Sequence, residues 1–337
     1  MVKVLYLGNK FFAYKKVKSV LETLEPLLGE FCEVKTASSQ KNQGLRFADM
    51  VFHFFRYGLS SDKIIIDVYS TLAFQYAFIL GILAHIFGKP YVLSLHGGNL
   101  PNRYQVSSKK VKWLFNRACH IIAPSHYLAD FFNQQGFQVQ VIPNIIPLSE
   151  YPYYQRKSIR PRILAIRGFG NPYNPLMTLK AVHLLKDQVQ DLKVLMLGNP
   201  EEPHYPEVMN FIYGHGLEGI VEVRPKMPKN EWIALSKDYD IMVSNPLIDN
   251  TPISLIEGMA LGMCVVSTKV GGVPYLVSEK ECALVDSDDA TGLSQAILSI
   301  LQDAGYAQQL SRNSREKAEE FDWENIKPLW MKILTES

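Results

Sequence analysis

The sequence predicts an α/β protein made of two doubly wound parallel-sheet domains. Three observations carry this. Short apolar runs alternate with helix-like segments along the whole chain, no internal repeat or low-complexity tract interrupts the alternation, and 337 residues, at roughly 150 per domain, make two domains.

The first series of strand-like runs covers residues 2–7, 33–37, 64–68, 91–95, 121–123 and 139–142. Each is bounded by a helix-like segment, the pattern of a parallel sheet with crossover helices. The stretch 72–88, LAFQYAFILGILAHIFG, has nearly the length of a membrane span, but Gln75 and His85 interrupt it, and we read it as a buried crossover helix. Residues 147–161 are rich in proline and charge and lack a core period, so the linker is placed there and the domains at 1–150 and 151–337. A second series follows at 163–166, 193–197, 221–224, 241–244, 265–267 and 283–286, giving a second Rossmann-like sheet. Two such domains are expected to face each other across a cleft, with ligands at the C-terminal ends of strands.

Composition is that of a soluble enzyme, with 47% hydrophobic residues. Cys32, Cys119, Cys264 and Cys282 have no paired spacing, which argues against disulfides and metal binding and for a reducing, cytoplasmic setting. The opening residues read directly as a strand, without the pattern of a cleavable signal. A net charge of +2 conceals an asymmetry: residues 1–150 hold sixteen Lys and Arg against nine Asp and Glu, the rest nineteen against twenty-four. Cations gather in Lys10 to Lys18, among Phe11, Phe12 and Tyr14, and in Arg103 to Arg117, with Lys109, Lys110 and Lys112. This N-terminal surface is expected either to rest on anionic lipid headgroups, peripheral to the inner face of a membrane, or to be a pair of solvated helical faces. No nucleic-acid motif appears, and no nucleic-acid partner is expected.

The densest chemistry lies at Asp249-Asn-Thr-Pro-Ile-Ser-Leu-Ile-Glu257. Thr251 is an N-cap residue type and Pro252 suits a first helical position, so Asp249 is expected ahead of a helix and Glu257 about two turns inside it. A phosphate could then lie on the N–H groups of Ile253 and Ser254, where the helix dipole favours negative charge by roughly 0.3–2 kcal/mol, and no metal is required. Two other strand ends carry polar groups: Leu93-Ser-Leu-His96-Gly97-Gly98, whose glycines would let a ligand approach the backbone, and Ile163-Leu-Ala-Ile-Arg167-Gly168, whose guanidinium can grip two phosphate oxygens.

With Asp249-x7-Glu257, an apolar strand at Cys264 to Thr268 and Gly271-Gly-Val-Pro274, the chain resembles the group 1 glycosyltransferases (glycosyltransferase family 4), retaining enzymes of GT-B fold. Ile122-Ala-Pro-Ser-His126, Val141-Ile-Pro-Asn144 and the tail Phe321 to Trp330 extend the likeness. The resemblance implies a metal-independent, hexosyltransferase-like enzyme without a resident cofactor. It would move a sugar from a nucleoside-diphosphate sugar to the hydroxyl of a saccharide or lipid-linked saccharide, in surface polysaccharide or glycolipid assembly. It further implies an acceptor-binding first domain, a donor-binding second domain and a final helix crossing back to the first. His96, Asp249 and Arg167 would be catalytic; Glu257, Thr251, Pro252, Ile253, Ser254, Gly97 and Gly98 would bind the donor, Glu257 through the ribose hydroxyls. Residues 222–228 correspond to the segment that receives the base.

Two departures stand out. Asp249 replaces the family's first Glu, and Asn174 stands where a diphosphate-binding Lys is usual, which leaves three readings: Arg167, the helix dipole and backbone amides suffice, another cation such as Lys180 or Lys226 reaches in, or the activity is weak. Asp286-Ser-Asp288 is read as a solvated loop and not as a metal-binding pair. A GT-B nucleotide-sugar epimerase and a non-catalytic nucleotide-sugar-binding partner remain alternative readings.

Overall fold

The computed structural model describes residues 1–10, 12 and 18–335. Phe11, Tyr14, Lys15 and Lys16 of the expected lysine and aromatic cluster lie outside the described residues. The chain divides into two compact units, Met1–Ile145 with Trp323–Ser337, and Ile146–Asp322.

The first unit runs β1 (Val2–Leu7), α1 (Val20–Leu28), β2 (Cys32–Ala37), α2 (Gln43–Tyr57), β3 (Lys63–Val68), α3 (Phe74–Ile86), β4 (Tyr91–Leu95), α4 (Leu100–Phe115), β5 (His120–Ala123), α5 (His126–Gln134) and β6 (Val139–Val141). Its strands are all parallel, in the order β2-β1-β3-β4-β5-β6. The chain therefore steps outward from β1 to β2 and returns to lay β3 on the other side of β1, and that reversal opens a crevice at the strand ends. Strands such as Lys63–Val68, KIIIDV, are covered on both faces, which is why they read as continuous apolar runs. One face packs against α2 to α5 through Met50, Phe54, Phe74, Leu80, Leu114 and Phe132.

The second unit runs β7 (Arg162–Ala165), α6 (Pro175–Leu185), β8 (Lys193–Leu197), α7 (Tyr205–Gly214), β9 (Val221–Arg224), α8 (Lys229–Leu235), β10 (Ile241–Ser244), α9 (Ile253–Ala260), β11 (Cys264–Thr268), α10 (Val273–Leu276), β12 (Ala283–Val285), α11 (Ala290–Gln302) and α12 (Ala304–Glu319). The parallel order β12-β11-β10-β7-β8-β9 puts its reversal between β7 and β10. The last helix, α13 (Trp323–Thr335), belongs to the first unit, where Trp323, Ile326, Trp330 and Ile333 join α1 on the second face of that sheet. Lys327 and the Trp323 indole both donate to Glu30 and fix it there.

Two expectations change. The division falls at 145/146, not 150/151, because the segment read as a linker is partly core: Tyr151 and Arg156 are buried in the second unit, as is Ile146 just before it. The guanidinium of Arg156 binds Asp240 and the carbonyls of Tyr154, Leu261, Ser236 and Tyr239, which holds the segment down. The apolar stretch at 72–88 is indeed a crossover helix, 13 residues long, but only one side of it is buried. Among the described residues no helix is long and apolar enough to cross a membrane.

Candidate active site

In the second unit the reversal point gathers the expected residues. Arg167 lies just beyond β7 and Asp249 in the loop beyond β10, the two strands that flank the crevice. Arg167 Nη2 donates to Asp249 Oδ2, Nη1 donates to Ser254 Oγ at 3.3 Å, and the guanidinium sits 4.4 Å over the ring of Tyr173. Its Nε is buried without a hydrogen-bond partner among the described residues, and Asp249 and Ser254 engage two of the five guanidinium N–H donors. Asp249 thus reaches the cation, and its primary contact here is with Arg167.

The helix begins one residue later than its sequence suggests. Pro252 is the N-cap of α9, and Thr251 precedes the cap, because Pro252 keeps an extended backbone with ψ near 100°. Ile253 and Ser254 are the first two helical residues, whose N–H groups lie outside the intrahelical ladder. Residues 254–260 are all buried, so this helix start is rigidly held. Glu257 is the fifth helical residue, little more than one turn inside rather than two.

The Gly-Gly turn explains how the Asp249 loop is set. Gly271 has φ +53°, and a Cβ on it would fall 2.1 Å from the Asp249 carbonyl oxygen; on Gly272 it would fall 1.7 Å from that of Asn250. The Gly272 N–H donates to Asp249 O at 2.9 Å. Only a residue without a side chain allows the two loops this close.

Glu257 is buried, and its Oε1 accepts from Tyr151 Oη at 2.7 Å and pairs with Lys229 Nζ at 2.8 Å. Both contacts fall on Oε1, leaving Oε2 without a bond among the described residues. Burial, and after it the Glu257 charge, pushes the Tyr151 phenol far up, so it stays a donor. Neither partner was expected from sequence: Tyr151 lies in the supposed linker, and Lys229 reads as an ordinary surface lysine at the start of α8.

Asn174 has no cation to offer. It adopts the left-handed conformation that Asn tolerates, with φ 44°, and its Nδ2 donates to Asp288 Oδ1 at 2.6 Å. Asp288 stays exposed in its loop, as its sequence suggests, while accepting this bond at the start of α6. Lys180 is exposed on α6. Lys226, by contrast, lies against the residue next to Arg167: Gly168 has φ +78°, and a Cβ there would meet Lys226 Cε at 2.3 Å. Lys226 Nζ pairs with Glu202, which also accepts from the N–H groups of Phe169 and Asn199 at 2.9 and 3.0 Å. Although burial opposes it, these donors bring the Glu202 carboxyl below its ordinary range.

In the first unit the reversal point is built around a carboxylate. Asp67, on β3, is buried, and a Cβ on Gly8, just past β1, would fall 2.2 Å from its Oδ2. Asp67 Oδ1 lies 2.8 Å from His96 Nε2, and Oδ2 accepts from Tyr69 Oη at 3.3 Å. A carboxylate can only accept, so the imidazole proton belongs on Nε2 and Nδ1 is the ring atom left for another group. Ser94 Oγ is 3.0 Å from the same Nε2, and the Tyr69 ring stacks on the imidazole with centroids 5.5 Å apart. Burial first, and then the Asp67 charge, pushes the Tyr69 phenol up.

A Cβ on Gly97 would meet the Ser70 N at 2.8 Å, so the β3–α3 loop fills the side-chain side of that residue. The Gly98 carbonyl accepts from Tyr127 Oη at 3.3 Å. Asp67 was missed because it sits singly within an apolar strand; a lone carboxylate in a run buried on both faces is itself a signal.

A family profile described as glycosyl transferases group 1 matches residues 155–317, and one described as glycosyltransferase family 4 matches residues 55–150. A D-inositol 3-phosphate glycosyltransferase of Paenarthrobacter aurescens is 24% identical over 225 residues, 63% of this chain and 54% of that protein. The putative colanic acid biosynthesis glycosyltransferase WcaL of Escherichia coli is 29% identical over 151 residues, 42% of this chain and 37% of that protein. The chain thus spans about half or less of the length of these relatives. Among solved structures, Anabaena HepE in complex with UDP and glucose superposes with a TM-score of 0.77 at 16% identity, covering 99% of this chain and 100% of that one. Two parallel Rossmann-like sheets of GT-B type and two family matches that together take in most of the sequence lead to one conclusion: the chain belongs to the group 1 glycosyltransferases, family 4.

Proposed function

We propose that the protein is a retaining glycosyltransferase that moves a sugar from a nucleoside-diphosphate sugar to an acceptor hydroxyl. The observation that carries this reading is the convergence of Arg167, Asp249 and Ser254 at the start of α9, with a free oxygen of Glu257 farther along the same helix. It provides a cation, a helix dipole and unpaired N–H groups for a diphosphate, and a carboxylate for vicinal hydroxyls. The reaction is front-face. The bond from the anomeric carbon to the phosphate oxygen breaks, the acceptor oxygen bonds to that carbon from the same side, and its proton passes to the departing phosphate. Protein catalysis is then electrostatic. Arg167 and the α9 start stabilise the leaving diphosphate, and Asp249 holds the guanidinium in place and meets the sugar. Glu257 Oε2 takes the ribose hydroxyls, and His96, oriented by Asp67, hydrogen-bonds the transferred sugar. Lys226, against Gly168, is the second cation in place of the lysine that Asn174 replaces, and Lys180 is not.

No resident cofactor or metal is required. The donor belongs to the second unit and a saccharide or lipid-linked saccharide acceptor to the first, in polysaccharide or glycolipid assembly. Uridine diphosphate sugars are the first donors to try, since HepE was crystallised with UDP and glucose. Incubation with a panel of nucleotide sugars and a glycan acceptor should release nucleoside diphosphate and form an α-linked product from an α-linked donor. Sugar interconversion without release would indicate an epimerase instead, and binding without either a non-catalytic partner.

A further inference from the structure

The outer face of α2, α3 and α4 differs from an ordinary enzyme surface. Leu45, Phe52, Phe55 and Leu59, on α2 and the turn after it, and Ile86 and Phe87, at the end of α3, are between 40% and 67% exposed. Their spacing is helical, so the exposed side chains form a stripe while Met50 and Phe54 of the same helix enter the core. The stripe is continuous with α3, because the Phe55 and Phe87 rings meet edge to face at 5.6 Å. Soluble surfaces rarely leave so much apolar area together without an occupant.

Cations border it. Residues 41–117 hold ten Lys and Arg against three Asp and no Glu, and one of those carboxylates is the buried Asp67. Helix α3 itself carries no Lys, Arg, Asp or Glu. Arg56 lies 6.0 Å over the Phe52 ring, Lys110 lies 5.3 Å over Phe78 of α3, and Arg117 lies 4.4 Å over Trp113 of α4. Lys109 and Lys112 are exposed on α4. The charged ends thus lie over aromatic rings, a cation–π arrangement that sets cations directly beside the apolar surface.

We propose that this face docks on an anionic lipid bilayer, with Leu45, Phe52, Phe55, Ile86 and Phe87 entering the acyl boundary and Arg56, Lys109, Lys110, Lys112 and Arg117 meeting lipid phosphates. Apolar insertion with a basic border is the chemistry of interfacial binding. A second copy of the chain is the poorer occupant, because a two-fold contact would place the same cations against one another. The proposal keeps the Arg103 to Arg117 cluster expected from sequence, joins it to the apolar faces of α2 and α3, and rests on the first unit alone, not on the transfer reaction.

Co-sedimentation of the full chain with phosphatidylcholine vesicles, with and without phosphatidylglycerol, tests it. The wild type should bind the anionic vesicles and not the neutral ones, and salt should weaken the binding. Phe52→Ser with Ile86→Ser, and separately Lys109→Glu with Lys112→Glu, should each lower binding by about tenfold or more. All four side chains are exposed, and unchanged thermal transitions would show both variants folded. Absence of wild-type binding at low salt, or wild-type binding by both variants, would overturn the proposal. So would a dimer abolished by Phe52→Ser with Ile86→Ser in a protein that ignores vesicles, which would give the face to a second copy.

Discussion

In the second unit, Arg167, Lys226 and the start of α9 converge on a strand-order reversal; at the equivalent place in the first unit a buried carboxylate, Asp67, holds a histidine. The first arrangement suits a polyanion. The second would repel one, and suits hydroxyl groups. Overall charge runs the other way, with sixteen Lys and Arg against nine Asp and Glu up to residue 150 and nineteen against twenty-four beyond. In the proposed function, phosphate recognition follows from a few oriented groups and not from the sign of the domain, whose exposed charges are screened beyond about 8–10 Å.

The sharpest way to break this contrast is at Arg167. Arg167→Ala should lower turnover by about a hundredfold or more, the scale for losing one preorganised donor at a developing charge; near wild-type turnover at saturating donor would shift the role to Lys226. Glu257→Gln should weaken nucleoside diphosphate binding by about 1–3 kcal/mol, since a hydrogen bond to a charged acceptor is lost. Calorimetry showing equal affinity would remove Glu257 from the ribose. Gly272→Ala forces a Cβ against the Asn250 carbonyl, and should destabilise the protein by about 1–3 kcal/mol in thermal or denaturant melts. A neutral result would mean that the Asp249 loop is not clamped there.

On the other side of the comparison, Asp67→Asn should reduce turnover by roughly tenfold through loss of His96 orientation while leaving nucleotide affinity unchanged. Weakened nucleotide binding in that variant would blur the division between the units. The smallest effect is expected from chelation: EDTA should leave activity intact, and loss restored by Mg²⁺ or Mn²⁺ would contradict a phosphate site made of Arg167 and a helix start.

Much of the fold was legible because strands buried on both faces read as apolar runs, and every run assigned as a strand is one within a residue or two at its ends. The site in the second unit was legible in part because one loop and helix start carry Asp249, Ser254 and Glu257 together. What escaped was what the fold brings from elsewhere. Tyr151 lies in a segment without periodicity whose burial depends on Arg156 and Asp240 far along the chain. Lys229 looks like a surface lysine until α8 brings it to Glu257, and Tyr173 is hidden in a proline-rich turn. Asp67 was the one missed residue that left a local trace, as the single charge at the apolar centre of β3.

The most direct test of the contrast is calorimetric titration of UDP into three proteins: wild type, Arg167→Ala and His96→Ala. UDP should bind to wild type, lose most of its affinity for Arg167→Ala and keep its affinity for His96→Ala. Equal loss in both variants, or affinity retained in Arg167→Ala, would contradict a diphosphate site built by the second unit.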